Sequence, residues 1–95
     1  MRVIWTEQAT RGWNEVAKYI LRDFGRQGLK LFRQRTKEAE EYISHFPNGS
    51  EVVWNDSKQT TIYRWRTIHG RSKMLYFIQN DEIIIADFWD VRSNH

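Results

Sequence analysis

Ninety-five residues, 40% hydrophobic and 28% charged, describe one small globular domain spanning residues 1–95, because cores below about 50 residues rarely stand alone. An aromatic share of 15%, five Trp included, supplies enough apolar surface to offset the entropy of ordering, so most of the chain is expected to fold. The absence of Cys excludes disulfides, thiolate nucleophiles and Cys-ligated zinc, and a net charge of +3 by itself serves no more than solubility.

The chain opens on a short predicted strand, Val3-Ile4-Trp5, and Glu7 breaks any signal-peptide core. The next segment is helical in period. Ala9, Trp13, Val16, Ala17, Ile20 and Phe24 share one helix face, Thr6 or Thr10 is placed to cap its start, and Gly25 is placed to stop it. A second periodic segment carries Leu29, Phe32, Thr36, Ala39, Ile43 and Phe46 at alternating spacings of three and four, and Pro47-Asn48-Gly49 ends it. Two helices joined by a few residues around Gly25 make an αα-hairpin. Glu38, Glu40 and Glu41 are expected only to solvate its surface.

After Gly49 the period becomes two. Val52-Val53-Trp54 is a short strand, and Asn55 to Lys58 a polar loop. Thr61 to Ile68, Lys73 to Ile78 and Ile83 to Trp89 form an antiparallel meander, with turns around Gly70-Arg71 and Asn80-Asp81. The expected fold class is α+β: an N-terminal strand, an α-helical hairpin, then an antiparallel β-meander, in the order β-α-α-β-β-β. The longest apolar run, Ile83-Ile84-Ile85-Ala86, is far short of the ~20 residues that span a bilayer. No membrane association and a cytoplasmic location are therefore expected.

Two-residue turns at both sites would place Arg64 opposite Phe77 and Tyr76 opposite Ile85. One face would then carry Tyr63, Trp65, Met74, Tyr76, Ile78, Ile83, Ile85 and Trp89. The other would carry Arg64, Arg66, Lys73, Leu75, Phe77, Ile84, Ala86 and Phe88. Three cations on one face of adjacent strands repel unless something anionic meets them. With Arg71 at the turn and Arg92 past the last strand, they outline a phosphate-binding or target-binding surface. The competing reading is a solvated face whose arginines lie along the sheet.

Other chemistry is sparse. His45, His69 and His95 are too scattered to ligate a metal, no serine sits in a nucleophile turn, and the five glycines form no phosphate loop. Neither metal nor cofactor is expected. General acid–base candidates beside the cations are His69, Lys73, Tyr76, Asp87, Asp90 and His95. Each has a bland alternative: Tyr76 as core, His69 as a turn residue, His95 as a frayed end. Arg64 and Arg66 suit charge stabilisation but are poor bases, because a guanidinium hardly deprotonates.

Taken together these segments resemble the RelE/ParE superfamily of type II toxin–antitoxin toxins. The resemblance covers nearly the whole chain. It lies in Val3-Ile4-Trp5-Thr6, Tyr19-Ile20 with Phe24-Gly25, Phe46-Pro47-Asn48-Gly49, Tyr63-Arg64, Leu75-Tyr76-Phe77-Ile78, Asp81-Glu82-Ile83-Ile84-Ile85 and Trp89-Asp90-Val91-Arg92. It implies a small cytoplasmic bacterial toxin of a plasmid-stabilisation module, neutralised by a cognate, usually acidic antitoxin. ParE-like members bind and poison DNA gyrase. RelE-like members cut mRNA on the ribosome without metal, as interferases. The long helical segment and Phe46-Pro47-Asn48-Gly49 look ParE-like, whereas Arg64, Arg66, Lys73 and Arg92 fall where the RelE branch carries basic catalytic residues. Two of these are Arg where Lys is usual, and only His95 is available in place of a C-terminal catalytic Tyr. The expectation drawn is a ParE-like gyrase inhibitor, with an mRNA interferase and a degenerate antitoxin-binding domain as alternatives. The antitoxin is expected to dock on an exposed apolar helix stripe or sheet edge.

Overall fold

The computed structural model describes residues 1–56, 61–69 and 71–91. Strand β1 (Arg2–Trp5) leads into one helical element, α1 (Glu7–His45), followed by β2 (Glu51–Asp56), β3 (Thr61–His69), β4 (Ser72–Gln79) and β5 (Glu82–Asp90). This corrects the expected β-α-α-β-β-β order. No loop divides the helical segment into two helices, and the short strand read at Val52-Val53-Trp54 joins the same sheet as the three strands after it, as β2. Only Gly25 leaves helical geometry, at φ 72° and ψ −166°, a backbone region open almost exclusively to glycine. A straight helix of this length would run about 58 Å, but the whole molecule extends 43 Å along its longest axis. The two arms of α1 instead turn back at Gly25. The Trp13 and Phe32 rings stack at 5.1 Å, and Trp13 Nε1 donates to Thr36 Oγ1 at 2.9 Å.

Thr6 is the N-cap. Its side-chain oxygen accepts from the Ala9 amide at 3.1 Å and its hydroxyl donates to the Ile85 carbonyl at 2.9 Å, so one residue starts the helix and ties it to β5. At the far end the Phe46 amide closes on the Tyr42 carbonyl at 2.8 Å. Two residues predicted for the apolar seams, Phe24 and Phe46, lie at the ends of the two arms, beside Gly25 and at the C-cap, and are 60% and 59% exposed.

The sheet is mixed rather than an antiparallel meander, with strand order β1-β5-β4-β3-β2. β1 pairs parallel to β5, Val3 opposite Ile83 and Trp5 opposite Ile85, while the remaining pairs are antiparallel. The parallel pair follows from the path of the chain, which crosses one sheet face as α1 and re-enters at the opposite edge as β2. Asn80 and Asp81 both take positive φ, 52° and 60°, as a two-residue hairpin turn requires, and Gln79 pairs with Glu82.

The core lies between α1 and one face of this sheet. Ala9, Val16, Ile20, Phe32, Ala39 and Ile43 from the helix meet Met74, Tyr76, Ile83, Ile85 and Phe88 from the strands. Gly12 lets the first arm approach β5, because a Cβ there would collide with the Phe88 carbonyl. Phe88 packs between Trp5, at 6.1 Å, and Phe32, at 5.7 Å.

Two irregularities overturn the expected register. The β3–β4 ladder slips at Ile68, so Arg64 pairs with Tyr76 and Arg66 with Met74. The β4–β5 ladder slips at Ala86, so Met74 pairs with Phe88 and Lys73 with Trp89. One extra residue in a strand exchanges the faces of everything beyond it. Arg64, Arg66 and Phe88 thus move to the helix-covered face, and Tyr63, Trp65 and Trp89 move to the open one.

Candidate functional site

The expected row of three cations is divided between the two faces. Arg64 reaches from β3 to the segment that follows α1, where its Nη1 donates to the carbonyls of Ser50 at 2.8 Å and Asn48 at 3.2 Å. Arg66 lies flat on the Tyr42 ring of α1, with its guanidinium carbon 3.6 Å from the ring centroid. Its Nε is buried with no hydrogen-bond partner among the described residues, so the ring face carries that contact. Tyr76 stands beside both and donates its hydroxyl to the Pro47 carbonyl at 2.8 Å. Burial pushes the Tyr76 phenol up from its ordinary value, and the Ser50 side chain, Arg64 and Arg66 draw it partway back. A phenol held protonated and committed to a backbone carbonyl is a structural group. Together these residues fasten the Pro47–Ser50 turn to the sheet.

Lys73 is the cation left on the open face. It is exposed, and its Nζ sits 5.8 Å from the Trp65 ring centroid. Around it the open face is aromatic: Trp65 lies 4.9 Å from Trp89, and Tyr63 lies 5.2 Å from Phe77. No described element packs over this face, and Trp89 is 40% exposed. Arg71 is exposed at the β3–β4 turn, where its carbonyl accepts from the Val91 amide at 3.0 Å. Arg92 and His95 lie outside the described residues, as does the side chain of His69.

The remaining acid–base candidates are dispersed. Asp87 accepts from Gln8 Nε2 at 2.9 Å and from the Trp89 indole, joining the start of α1 to the open face. Asp90 is buried on the helix side and accepts from Ser72 Oγ at 2.8 Å. His45 lies at the end of α1, with Nδ1 2.8 Å from the Glu41 carbonyl. Of these, only Asp87 shares the open face with Lys73, diagonally across the β4–β5 ladder, and its carboxylate is engaged by Gln8 and Trp89. Among the described residues no cluster of His, Asp or Glu is placed to hold a metal ion, and no helix is long and apolar enough to cross a membrane.

Two features were missed in the sequence. The first is the aromatic character of the open face, since unbroken strands put Trp65 and Trp89 on the same face as Met74, Tyr76, Ile83 and Ile85, which α1 covers. The second is Glu40, which does not merely solvate α1. It is half-buried in a cleft of about 430 Å³ between the start of the chain and the second arm, lined by Trp5, Trp13, Arg33, Thr36 and Lys37. Burial raises its carboxyl above the ordinary glutamate value, and a hydrogen bond with the Trp5 side chain opposes that rise. Its spacing on the helix, one turn after Thr36, was the only signal available.

The chain matches no family model, and no curated protein is significantly similar to it.

Proposed function

We propose that this chain is the toxin of a type II toxin–antitoxin pair, of the RelE/ParE kind, and that it acts by binding its target rather than by cutting RNA. The family reading rests on the sequence segments from Val3-Ile4-Trp5-Thr6 to Trp89-Asp90-Val91-Arg92. The choice between modes rests on one observation: Arg64 and Arg66 are spent on the Ser50 and Asn48 carbonyls and the Tyr42 ring. Metal-free RNA cleavage needs cations and an acid–base pair converging on one phosphate. A broad aromatic surface with Lys73 at one end, beside Trp65 and Trp89, suits adhesion to a macromolecule instead. In this reading the open face engages the target, with DNA gyrase favoured. A cognate antitoxin in the same bacterial cytoplasm covers exposed apolar residues such as Phe24 and Phe46.

The test is to induce the chain in a bacterial host without its neighbouring gene, following mRNA integrity and DNA-damage signalling separately. The expected result is growth arrest with damage signalling and intact mRNA, abolished by Trp89→Ser with Lys73→Glu in a protein that still folds. Cleaved mRNA with early arrest of translation would replace this reading with an interferase. Unimpeded growth with folded protein would leave only an antitoxin-binding domain.

A further inference from the structure

The helix side of the molecule carries a second feature, independent of the open sheet face. Between residues 18 and 37 the chain has seven Lys and Arg against one acid, Asp23, so the remainder of the chain is net acidic. Asp23 already accepts from Arg22 at 3.0 Å. Four of these cations, Arg26, Lys30, Arg33 and Lys37, recur at spacings of four, three and four along the second arm of α1, and all four are exposed. That spacing puts them in one row about 16 Å long. Like charges one turn apart destabilise a helix, and the carboxylate of Glu40, beside Lys37, offsets part of that charge at the far end of the row.

The row runs into the cleft that holds Glu40, where Arg33 and Lys37 form part of the wall. The other walls are the indoles of Trp5 and Trp13. Both rings are pinned: Trp13 by its bond to Thr36 and its stack on Phe32, Trp5 by Glu40 and Phe88. The cleft therefore offers aromatic surface and a carboxylate acceptor at the end of a polycationic track. At about 430 Å³ it lies within the size range of small-ligand sites.

We infer that the second arm of α1 and the Trp5–Trp13 cleft form a binding site for single-stranded nucleic acid. Phosphates follow Arg26, Lys30, Arg33 and Lys37, and one base enters the cleft against indole. A cationic track beside aromatic rings is the pairing that single strands need, because every base has a stacking face and every linkage a charge. Glu40 selects among polyanions. Its carboxylate accepts from base N–H groups, whereas an acidic peptide would bring a second carboxylate against it. It also favours bases with an exocyclic amine, such as cytosine, over thymine.

The experiment measures fluorescence anisotropy of the full chain with end-labelled dodecamers of dC, dT and U, with a duplex of equal length, and with polyglutamate. Single strands are expected to bind in preference to duplex and polyglutamate, dC more tightly than dT. A dU dodecamer set against U reads whether deoxyribose or ribose is preferred, because thymine and uracil also differ in the 5-methyl group, and either order supports the site. Substituting Lys30, Arg33 and Lys37 together by Ala should weaken binding at least about tenfold and reduce the log–log salt slope by about 2. Glu40→Gln, which leaves the track intact, should narrow the gap between dC and dT. Trp13→Leu should weaken all single strands without altering the salt slope, provided its circular dichroism is native. The inference is overturned by equal binding of polyglutamate, by tighter binding of duplex, by no binding, or by binding that survives the triple substitution. Binding that survives it and is lost with Lys73→Glu would place nucleic acid on the open sheet face, overturning this site without touching the proposed mode of toxicity.

Discussion

The two faces of the sheet are built from the same four C-terminal strands and draw on the same residue types, yet they do different work. On the helix side, Met74, Tyr76, Ile83, Ile85 and Phe88 are fully buried, and two arginines are folded in with them as fasteners. On the open side, Trp65, Trp89, Tyr63 and Phe77 form pairs with one another and with Lys73, and no described element covers them. Side-chain chemistry did not sort these residues, since aromatic rings and cations occur on both faces. The slips at Ile68 and Ala86 sorted them, by deciding which residues α1 would cover. A cation under the helix is a structural group, and the same kind of cation on the other face is free to meet a partner.

The sharpest test of that contrast uses two consecutive residues. Phe88→Ala should cost about 3–5 kcal/mol in denaturant unfolding. Trp89→Ala, which removes a larger but 40% exposed ring, should cost less, about 1–2.5 kcal/mol for its pairing with Trp65 and its indole hydrogen bond to Asp87 together. Equal losses would mean that the open face is packed against something and would break the comparison.

Gly25→Ala probes what turns α1 back over the sheet. No atom lies within 4 Å of a Cβ built there, so the expected loss of about 1–3 kcal/mol is purely conformational. Gly25→Asn should not rescue it, because ψ near −166° is outside the left-handed helical region that Asn tolerates. A neutral Ala variant would show that the arms are held by packing alone.

The cations divide in the same way. Arg64→Ala strands the Ser50 carbonyl, while that of Asn48 is exposed to water, and should cost about 1–2 kcal/mol, and Tyr76→Phe, which frees the Pro47 carbonyl, about 1 kcal/mol. Lys73→Ala should leave stability within about 0.5 kcal/mol while reducing toxicity. If toxicity instead followed Arg64 in a variant of native stability, the arginine would belong to the target site.

The smallest effect concerns Glu40. Its folded pKa is raised, chiefly by burial, so the folded state holds this proton more tightly than the unfolded chain. The stability it contributes is complete below the ordinary glutamate value of 4.5 and is lost as pH rises through the elevated value. Glu40→Gln should therefore raise the denaturation midpoint slightly at neutral pH and flatten the profile above pH 4.5. An unchanged profile would mean that the carboxylate is solvated.

Much of the local structure was legible without coordinates. The helix seam from Leu29 to Ile43, Thr6 as a cap, Gly25 as a break and Asn80-Asp81 as a turn each follow from short-range rules of period, capping and positive φ. The strand at Val52-Val53-Trp54 was legible, but its place at the sheet edge and the parallel pairing of β1 with β5 were not, because strand partners are chosen by the path of the whole chain. The candidate site suffered most. Ile68 and Ala86 carry no local mark of a slip, such as Gly or Pro, and each slip moved every residue beyond it to the opposite face.

The sequence by itself determined the strand segments, the Thr6 cap and the Asn80-Asp81 turn, because periods, caps and turns are set within a few residues, but not that the helical segment is one element. Helical spacing also aligns Lys30, Arg33 and Lys37 along the second periodic segment, and the continuation of α1 directly after Gly25 adds Arg26 to their row. Only the tertiary structure decided which strand residues α1 covers, and hence that Arg64 and Arg66 are fasteners, Lys73 is free and Glu40 is half-buried beside two indoles. Burial depends on what packs against a residue, and here those neighbours come from distant parts of the chain.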